Sequence, residues 1–327
     1  MSREAVAIAH PNVALSKYWG KRDLEANVPA VPSLSVTLDA LSTRTRVRWR
    51  DIAAHRVTID GRELAPAQAT RAIALLDRVR HAAALNDHAE VDSSSDFPAA
   101  SGLASSASGF AALAMASTQA AGLSWDASRV SDLARRSSAS AARSVFAGFV
   151  ELTGSAAQSI APRDHLPLVV LACVTTEAPK PVGSSEGMQL TMERSPYARA
   201  WIDEAPRLHA RLRDALLARD FDGVGRLAEA SALAMHASAI AAGVVYFNGA
   251  TLAVLAAVRA LRADGARAYA TMDAGPHVKV LVPPEEAARV RAAIERTTGV
   301  LRVIEARPGE GVRLDASAQP SLEVAGP

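Results

Sequence analysis

The chain has 327 residues, with 36 Lys and Arg against 34 Asp and Glu and a formal net charge of +2. That near-neutral balance leaves no electrostatic footprint for nucleic acid or an anionic membrane. Although 49% of the residues are hydrophobic, no stretch of about 18 consecutive apolar residues reads as a membrane span. The length predicts about two domains and a sizeable core. A single cysteine, Cys173, excludes an internal disulfide. The opening MSREAVAIAHP lacks the basic-then-apolar layout of a secretory signal, so a cytoplasmic protein is the expectation. Only four of the 36 basic residues are lysine, at positions 17, 21, 180 and 279. Against that arginine bias, two lysines within five positions stand out.

In chain order, AVAIA at 5–9, SLSVTL at 33–38, TRVRW at 45–49 and HRVTI at 55–59 read as short, alternating or β-branched strands. Over 66–86 the period changes to that of a helix, with Ala67, Ile73, Leu75, Leu76, Val79 and Ala83 on the apolar face and Arg71, Asp77 and Arg80 opposite. An alanine-rich helix follows the loop at FPAASGLASS, another is predicted over 126–140, and SVFAGFVEL reads as a buried strand. GSAAQSIAPRDHLP at 154–167 has the Gly, Ser and Pro content of a domain connection, giving domains at 1–160 and 161–327. Beyond it come a buried strand at 168–176, helices near 196–218, 223–240 and 250–263, strands at 268–272 and 277–282, a helix near 284–296 and a strand near 300–305. Strands and helices mix without regular βαβ alternation, which predicts an α+β fold.

Four segments carry chemistry. GLASSASG at 102–109 places small residues at a helix start, where free N–H groups and the helix dipole can hold a phosphate and serine hydroxyls can add donors. A small-residue helix packed closely on a sheet is the plain alternative, and no Walker-type loop is present. NVALSKYWGKRD at 12–23 gathers an amide, two lysines and a tyrosine beside a strand, and lysine ammonium groups are compact charges suited to phosphate oxygens. A solvated basic turn anchored by Trp19 is its alternative. In SSASAARS at 137–144, Ser140 and Arg143 are i and i+3 neighbours on a helix start, with room for an anion. In ATMDAGPH at 270–277 an aspartate directly after an apolar strand is held beside a turn, as a positioned acid or base would be; an aspartate capping local N–H groups is the alternative. No HExxH, no G-x-S-x-G and no GxGxxG after a strand is present, so zinc, nucleophile-elbow and nicotinamide chemistry find no motif.

Taken together, NVALSKYWGKRD, PSLSVTLD, SGLASSASGFAALA, RRSSASAARSVFAGFVE, SSEGMQLTMERSP and MDAGPH resemble, in order and over about residues 8–310, the diphosphomevalonate decarboxylase family of the GHMP superfamily. That resemblance implies a two-domain α+β fold with the active site in the inter-domain cleft, and usually a homodimer. It also implies a reaction of the mevalonate pathway. ATP and magnesium (Mg2+) serve to phosphorylate the 3-hydroxyl of mevalonate 5-diphosphate, and loss of phosphate and carbon dioxide gives isopentenyl diphosphate.

By resemblance, Asp273 matches the catalytic aspartate that orients or deprotonates the hydroxyl. Arg143 matches the catalytic arginine, Asn12 the amide that orients the substrate carboxylate, and Lys17 a lysine near the transferred phosphate. Tyr18, Lys21, Ser138 and Ser140 match groups around the substrate diphosphate. Gly102, Leu103, Ala104, Ser105, Ser106 and Ser108 fall in the ATP phosphate loop, and Ser184 and Ser185 in a second loop near the nucleotide. No residue is assigned as a metal ligand. The chain departs from the family pattern at Val31-Pro32, at Ser231-Ala232-Leu233 and at His277. Decarboxylation of the 5-monophosphate, a kinase that stops after 3-phosphorylation, and a non-catalytic nucleotide-binding protein are the alternatives.

Overall fold

The computed structural model describes residues 3–96, 105–178, 180 and 182–318. The N-terminal half runs β1 (Glu4–Ala9), β2 (Asn12–Ser16), β3 (Lys21–Asp23), β4 (Val28–Pro29), β5 (Ser33–Thr37), β6 (Thr43–Arg50), β7 (Arg56–Ile59), β8 (Arg62–Glu63), α1 (Pro66–Ala82), β9 (His88–Ser95), α2 (Ser105–Ala120), α3 (Ala127–Ser137), α4 (Ala141–Ser144), β10 (Phe149–Thr153) and β11 (Ala156–Ala161). The remainder runs β12 (Val169–Val174), α5 (Ser184–Arg194), α6 (Ala198–Leu217), α7 (Phe221–Ala241), α8 (Gly249–Ala263), β13 (Tyr269–Met272), β14 (Val278–Val282), α9 (Ala287–Glu295), β15 (Arg302–Ala306) and β16 (Arg313–Leu314). Helices and mixed sheets alternate irregularly, an α+β fold as expected.

Three larger sheets and the two-stranded β3-β4 pair organise these elements. The first has the order β16-β1-β6-β9-β7-β8. Along β6 the side chains alternate strictly, so Thr43, Thr45, Val47 and Trp49 face inward while Arg46 and Arg48 pair outward with Glu4, Glu90 and Asp92. Helix α2 lies on β1 and β6, and its fully buried Ala107, Ala111, Ala112, Ala114 and Ala116 let backbone approach backbone. The second sheet, β11-β10-β5-β2, and the third, β13-β14-β12-β15, share one core with α6 and α7. There Val13, Leu34 and Phe149 meet Val170, Leu212, Val224 and Leu281. Both halves of the chain thus bury apolar surface against each other, and β16 returns to pair with β1.

Three expectations need correction. The segment 154–167 is not all connection, because its first part is β11, paired antiparallel with β10. Its inward residues include Ala157 and Ala161, too small to give the sequence a visible alternation. The helix expected over 126–140 ends at Ser137, Ser138 is extended (φ −156°, ψ 115°), and α4 is a separate single turn. Within SVFAGFVEL only the part from Phe149 is strand.

Candidate active site

Strand β2 is buried along its whole length, and the chain leaves it through Lys17, Tyr18 and Trp19. Gly20 then turns it into β3 with φ +97°; a Cβ there would lie 3.2 Å from the Met192 sulfur and 3.4 Å from Ala30. Only glycine suits that combination of positive φ and close approach, and the turn sends Lys17 and Lys21 to the same cleft. The backbone N–H of Lys17 donates to the Ser231 hydroxyl of α7 at 2.9 Å. Its ammonium donates to the Ala14 carbonyl at 2.7 Å and to Asp273 Oδ1 at 2.8 Å.

Asp273 directly follows β13, where the Gly275 N–H closes back on its carbonyl at 2.7 Å. Thr251 and Thr175 donate to the Pro276 carbonyl and pin the rest of the turn. Lys279 of β14 places Nζ 3.1 Å from Oδ2, so each carboxylate oxygen of Asp273 meets one ammonium. The side chains of Lys17 and Lys279 are 1% and 3% exposed, while Asp273 keeps 24% toward the cleft. Burial alone would raise the Asp273 pKa, but the two ammonium groups outweigh it and hold the carboxyl well below the usual range. Burial pushes Lys17 down to about 8 against the pull of Asp273.

Arg143 of α4 is fully sunk beneath the same cleft. Its Nε and Nη1 donate to Ser35 and Ser33 at 3.0 and 2.7 Å, and Nη2 reaches Asn12 Oδ1 at 3.4 Å. Among the described residues no carboxylate forms an ion pair with it, and burial lowers its pKa to about 10. Asn12 is in turn fixed by donating to the Ser140 carbonyl and the Ser144 hydroxyl. Ser138 and Ser140 share a hydroxyl contact of 3.1 Å at the break between α3 and α4. The Tyr18 hydroxyl is buried without a hydrogen-bond partner among the described residues, and burial pushes its pKa up. Such an orphaned polar atom beside an uncompensated guanidinium is suited to an anionic ligand.

Lys21 donates to the Ser185 hydroxyl at 3.1 Å, and Lys180 to the Ser184 hydroxyl at 2.7 Å. These serines are the first residues of helix α5 rather than part of a loop. Gly187 lets α5 approach closely, since a Cβ there would fall 2.4 Å from the Tyr246 hydroxyl and 3.1 Å from the Trp19 ring. Ser106 lines the cleft, whereas Ser108 turns its hydroxyl to Thr43 of β6, 2.7 Å away, and belongs to the helix–sheet packing. Gly102, Leu103 and Ala104 lie outside the described residues, as does the side chain of Ser105.

The cleft measures about 650 Å3, and among the described residues Lys17, Lys21, Arg71, Arg143 and Lys180 line it against Asp273 and Glu186. Its size is that of a small-molecule site, and its local excess of positive charge is masked by the chain's overall neutrality. Burial and then Arg71 lower the pKa of Lys21, and burial and then Lys279 lower that of Lys180. Arg71, Lys180 and Lys279 were not singled out from sequence. Arg71 hides on the polar face of α1, and the scarcity of lysine drew attention only to the Lys17–Lys21 pair, yet all four lysines stand at this centre.

Residues 9–161 match the diphosphomevalonate decarboxylase-like N-terminal domain and residues 170–316 the mevalonate 5-diphosphate decarboxylase C-terminal domain. The chain belongs to the diphosphomevalonate decarboxylase family. It is 34% identical over 304 residues to the phosphomevalonate decarboxylase of Haloferax volcanii, covering 89% of this chain and 92% of the relative. It is also 34% identical over 314 residues to the diphosphomevalonate decarboxylase of Homo sapiens, covering 86% and 78%. Among solved structures, MDDEF in complex with MVAPP, AMPPCP and magnesium matches with a TM-score of 0.89 at 35% identity, over 95% of this chain and 98% of that one.

Proposed function

We propose that this family member catalyses the ATP-dependent decarboxylation of mevalonate 5-diphosphate to isopentenyl diphosphate. The observation that carries the reading is the Lys17–Asp273–Lys279 cluster in a cleft whose other charges are almost all cationic. A substrate with a diphosphate, a carboxylate and a partner nucleotide brings many negative charges, and the cleft supplies their counterparts. Tyr18, Lys21, Ser138 and Ser140 hold the substrate diphosphate, Asn12 and Arg143 orient the carboxylate end, and Lys17 faces the phosphate being transferred. Ser106, with Gly102, Leu103, Ala104 and Ser105 preceding it in the sequence, belongs to the nucleotide phosphate segment, and Ser184 and Ser185 serve the nucleotide from the other half.

Asp273 fixes the 3-hydroxyl in line with the γ-phosphorus by accepting its hydrogen bond. Because the carboxyl is held so strongly in its charged form, its contribution is orientation and electrostatics more than proton uptake. Phosphorylation turns a poor leaving group into phosphate. Its departure draws the carboxylate electrons into the new double bond as carbon dioxide leaves.

No group of three or more His, Cys, Asp or Glu side chains among the described residues could hold a metal by itself. The cleft offers the Ser106 hydroxyl and the Glu186 carboxylate as oxygen donors, a set that fits a magnesium ion arriving on nucleotide phosphates. When bound, that ion neutralises phosphate charge.

Incubating the protein with magnesium-ATP and either mevalonate 5-diphosphate or the 5-monophosphate, while following ADP and carbon dioxide, tests the reading. Equal release of both products on the diphosphate is expected. Activity confined to the monophosphate would move the assignment toward the activity named for the Haloferax volcanii relative, and ADP without carbon dioxide would make the protein a kinase. We also infer domains at 1–160 and 161–327, a homodimer and a cytoplasmic location. The family resemblance supports the dimer, which sedimentation velocity checks, and the single buried thiol of Cys173 fits a reducing compartment.

A further inference from the structure

Strand β14 lies between β13 and β12 and is buried at every position. A lysine in its middle is a costly choice unless its charge is matched. Lys279 pairs in register with Thr271 of β13 and Ala172 of β12, which aims its ammonium at the residue following β13, Asp273. In a chain with so few lysines, this one sits behind Asp273 and does not line the cleft, whereas Lys17, Lys21 and Lys180 do. Lys17 and Lys279 therefore hold the same carboxylate from different sides, one facing ligand and one facing the sheet.

We propose that Lys279 is a positioning residue of the reaction proposed above, the fixed counter-ion of Asp273 that leaves Lys17 free to turn its charge toward the incoming phosphate. Were Lys17 the sole cation on Asp273, every movement of its ammonium toward a ligand would strand a largely buried carboxylate. With Lys279 on Oδ2, the carboxylate keeps its charge and orientation while Lys17 exchanges one oxygen for another. An ammonium on a four-carbon stem reaches Oδ2 from within the strand.

The charged and titratable groups facing Lys17 are Asp273 after β13, Lys279 on β14, Arg143 on α4 and His236 on α7. Burial and then Lys17 lower His236 to about 4, so it is neutral near pH 7. Lys279 and Arg143 both oppose the Lys17 charge, and removing Lys279 leaves Asp273 to Lys17 alone.

The test uses lysine labelled with 15N at Nζ, which gives four side-chain signals in this chain, with the Lys17 signal assigned by its loss in Lys17→Met. In the ligand-free protein the Lys17 titration midpoint is expected to rise by about one pH unit in Lys279→Met and to stay near the wild-type value in Lys279→Arg. With magnesium-ATP and mevalonate 5-diphosphate, kcat is expected to fall about 10–100-fold in Lys279→Met with KM within about threefold, and to recover in Lys279→Arg. An unmoved Lys17 midpoint, or equal losses in kcat and KM that arginine does not rescue, overturns the role given to Lys279. If Lys279→Met fails to fold, Lys279→Gln carries the same titration. Because the titration needs no substrate, a wild-type protein that releases neither ADP nor carbon dioxide overturns the functional reading and leaves the Lys279 result to stand or fall separately.

Discussion

Asp273 is held as a carboxylate by two ammonium groups, and the chemistry at this residue follows from that. Asp273→Asn removes the charge both lysines meet while keeping the shape. Turnover measured by ADP release is expected to fall about 10^2–10^4-fold, with KM within a few-fold, and a variant keeping a tenth of wild-type turnover would take Asp273 out of the reacting centre. Lys17 is an ammonium below about pH 8 and an amine above it. Its charge faces an anionic substrate, so kcat/KM is expected to decline on the alkaline side with a midpoint near that value, and a flat profile to pH 10 would contradict the assignment. Sequence alone exposed Lys17, Lys21, Arg143 and Asp273, because each is a charged residue beside a strand end or small-residue turn. It did not expose Lys279, since a lysine between valines in HVKVLV reads as one polar position on a strand until the fold places Asp273 beside it.

At the scale of elements, a few short pieces decide where those residues point. Gly20 is the joint between β2 and β3, and Gly20→Ala combines a positive φ with contacts to Met192 and Ala30. Unfolding in urea is expected to show a loss of about 1–2 kcal/mol, accompanied by a higher KM as Lys21 shifts. An unchanged midpoint would mean that the turn relaxes freely. The gap between α3 and α4 matters equally, because extended Ser138 lets Ser140 and Arg143 approach Asn12 from below. Long periodic helices such as α1, α6, α7 and α8 were legible in sequence from their apolar stripes. Short pieces such as β3, β4, β11 and β16 were not, since two- to six-residue strands with alanine or charged side chains exist only through their pairing partners.

At the scale of the whole molecule, the two halves meet through a shared apolar core and a buried polar joint. His209 of α6 contacts Ser16 of β2 at 2.9 Å and Glu151 of β10 at 2.8 Å. Burial lowers the pKa of His209, of His55 and, to about 4, of His236. A histidine whose folded pKa lies below its unfolded value near 6.5 binds protons more readily when unfolded, so stability is full above that pH and is lost as pH falls. Thermal unfolding is expected to move to lower temperature between pH 6.5 and about pH 4, with His236 alone contributing roughly 2–3 kcal/mol. His236→Asn should flatten that acid slope, and an unaltered slope would place the proton uptake elsewhere.

What the sequence determined by itself was local: strand and helix periods, the α+β class, the small-residue loop, and four segments whose residue types suit phosphate binding or acid–base chemistry and whose order matches one family. Those properties depend on neighbours a few positions apart, and the chain carries them wherever it folds. What only the tertiary structure decided was convergence. Residues near 12–21 and 138–143, residues 183–185 and residues 273–274 are far apart along the chain, and only tertiary packing around the shared core of β2, β5 and β10 with α6, α7 and the third sheet brings them to one cleft. The same packing buried Ser108 against β6, turned Ser184 and Ser185 into a helix start, and set a second lysine behind Asp273. Burial and charge pairing are properties of the assembled interior, where removing water makes each unmatched charge costly, and no stretch of sequence contains them.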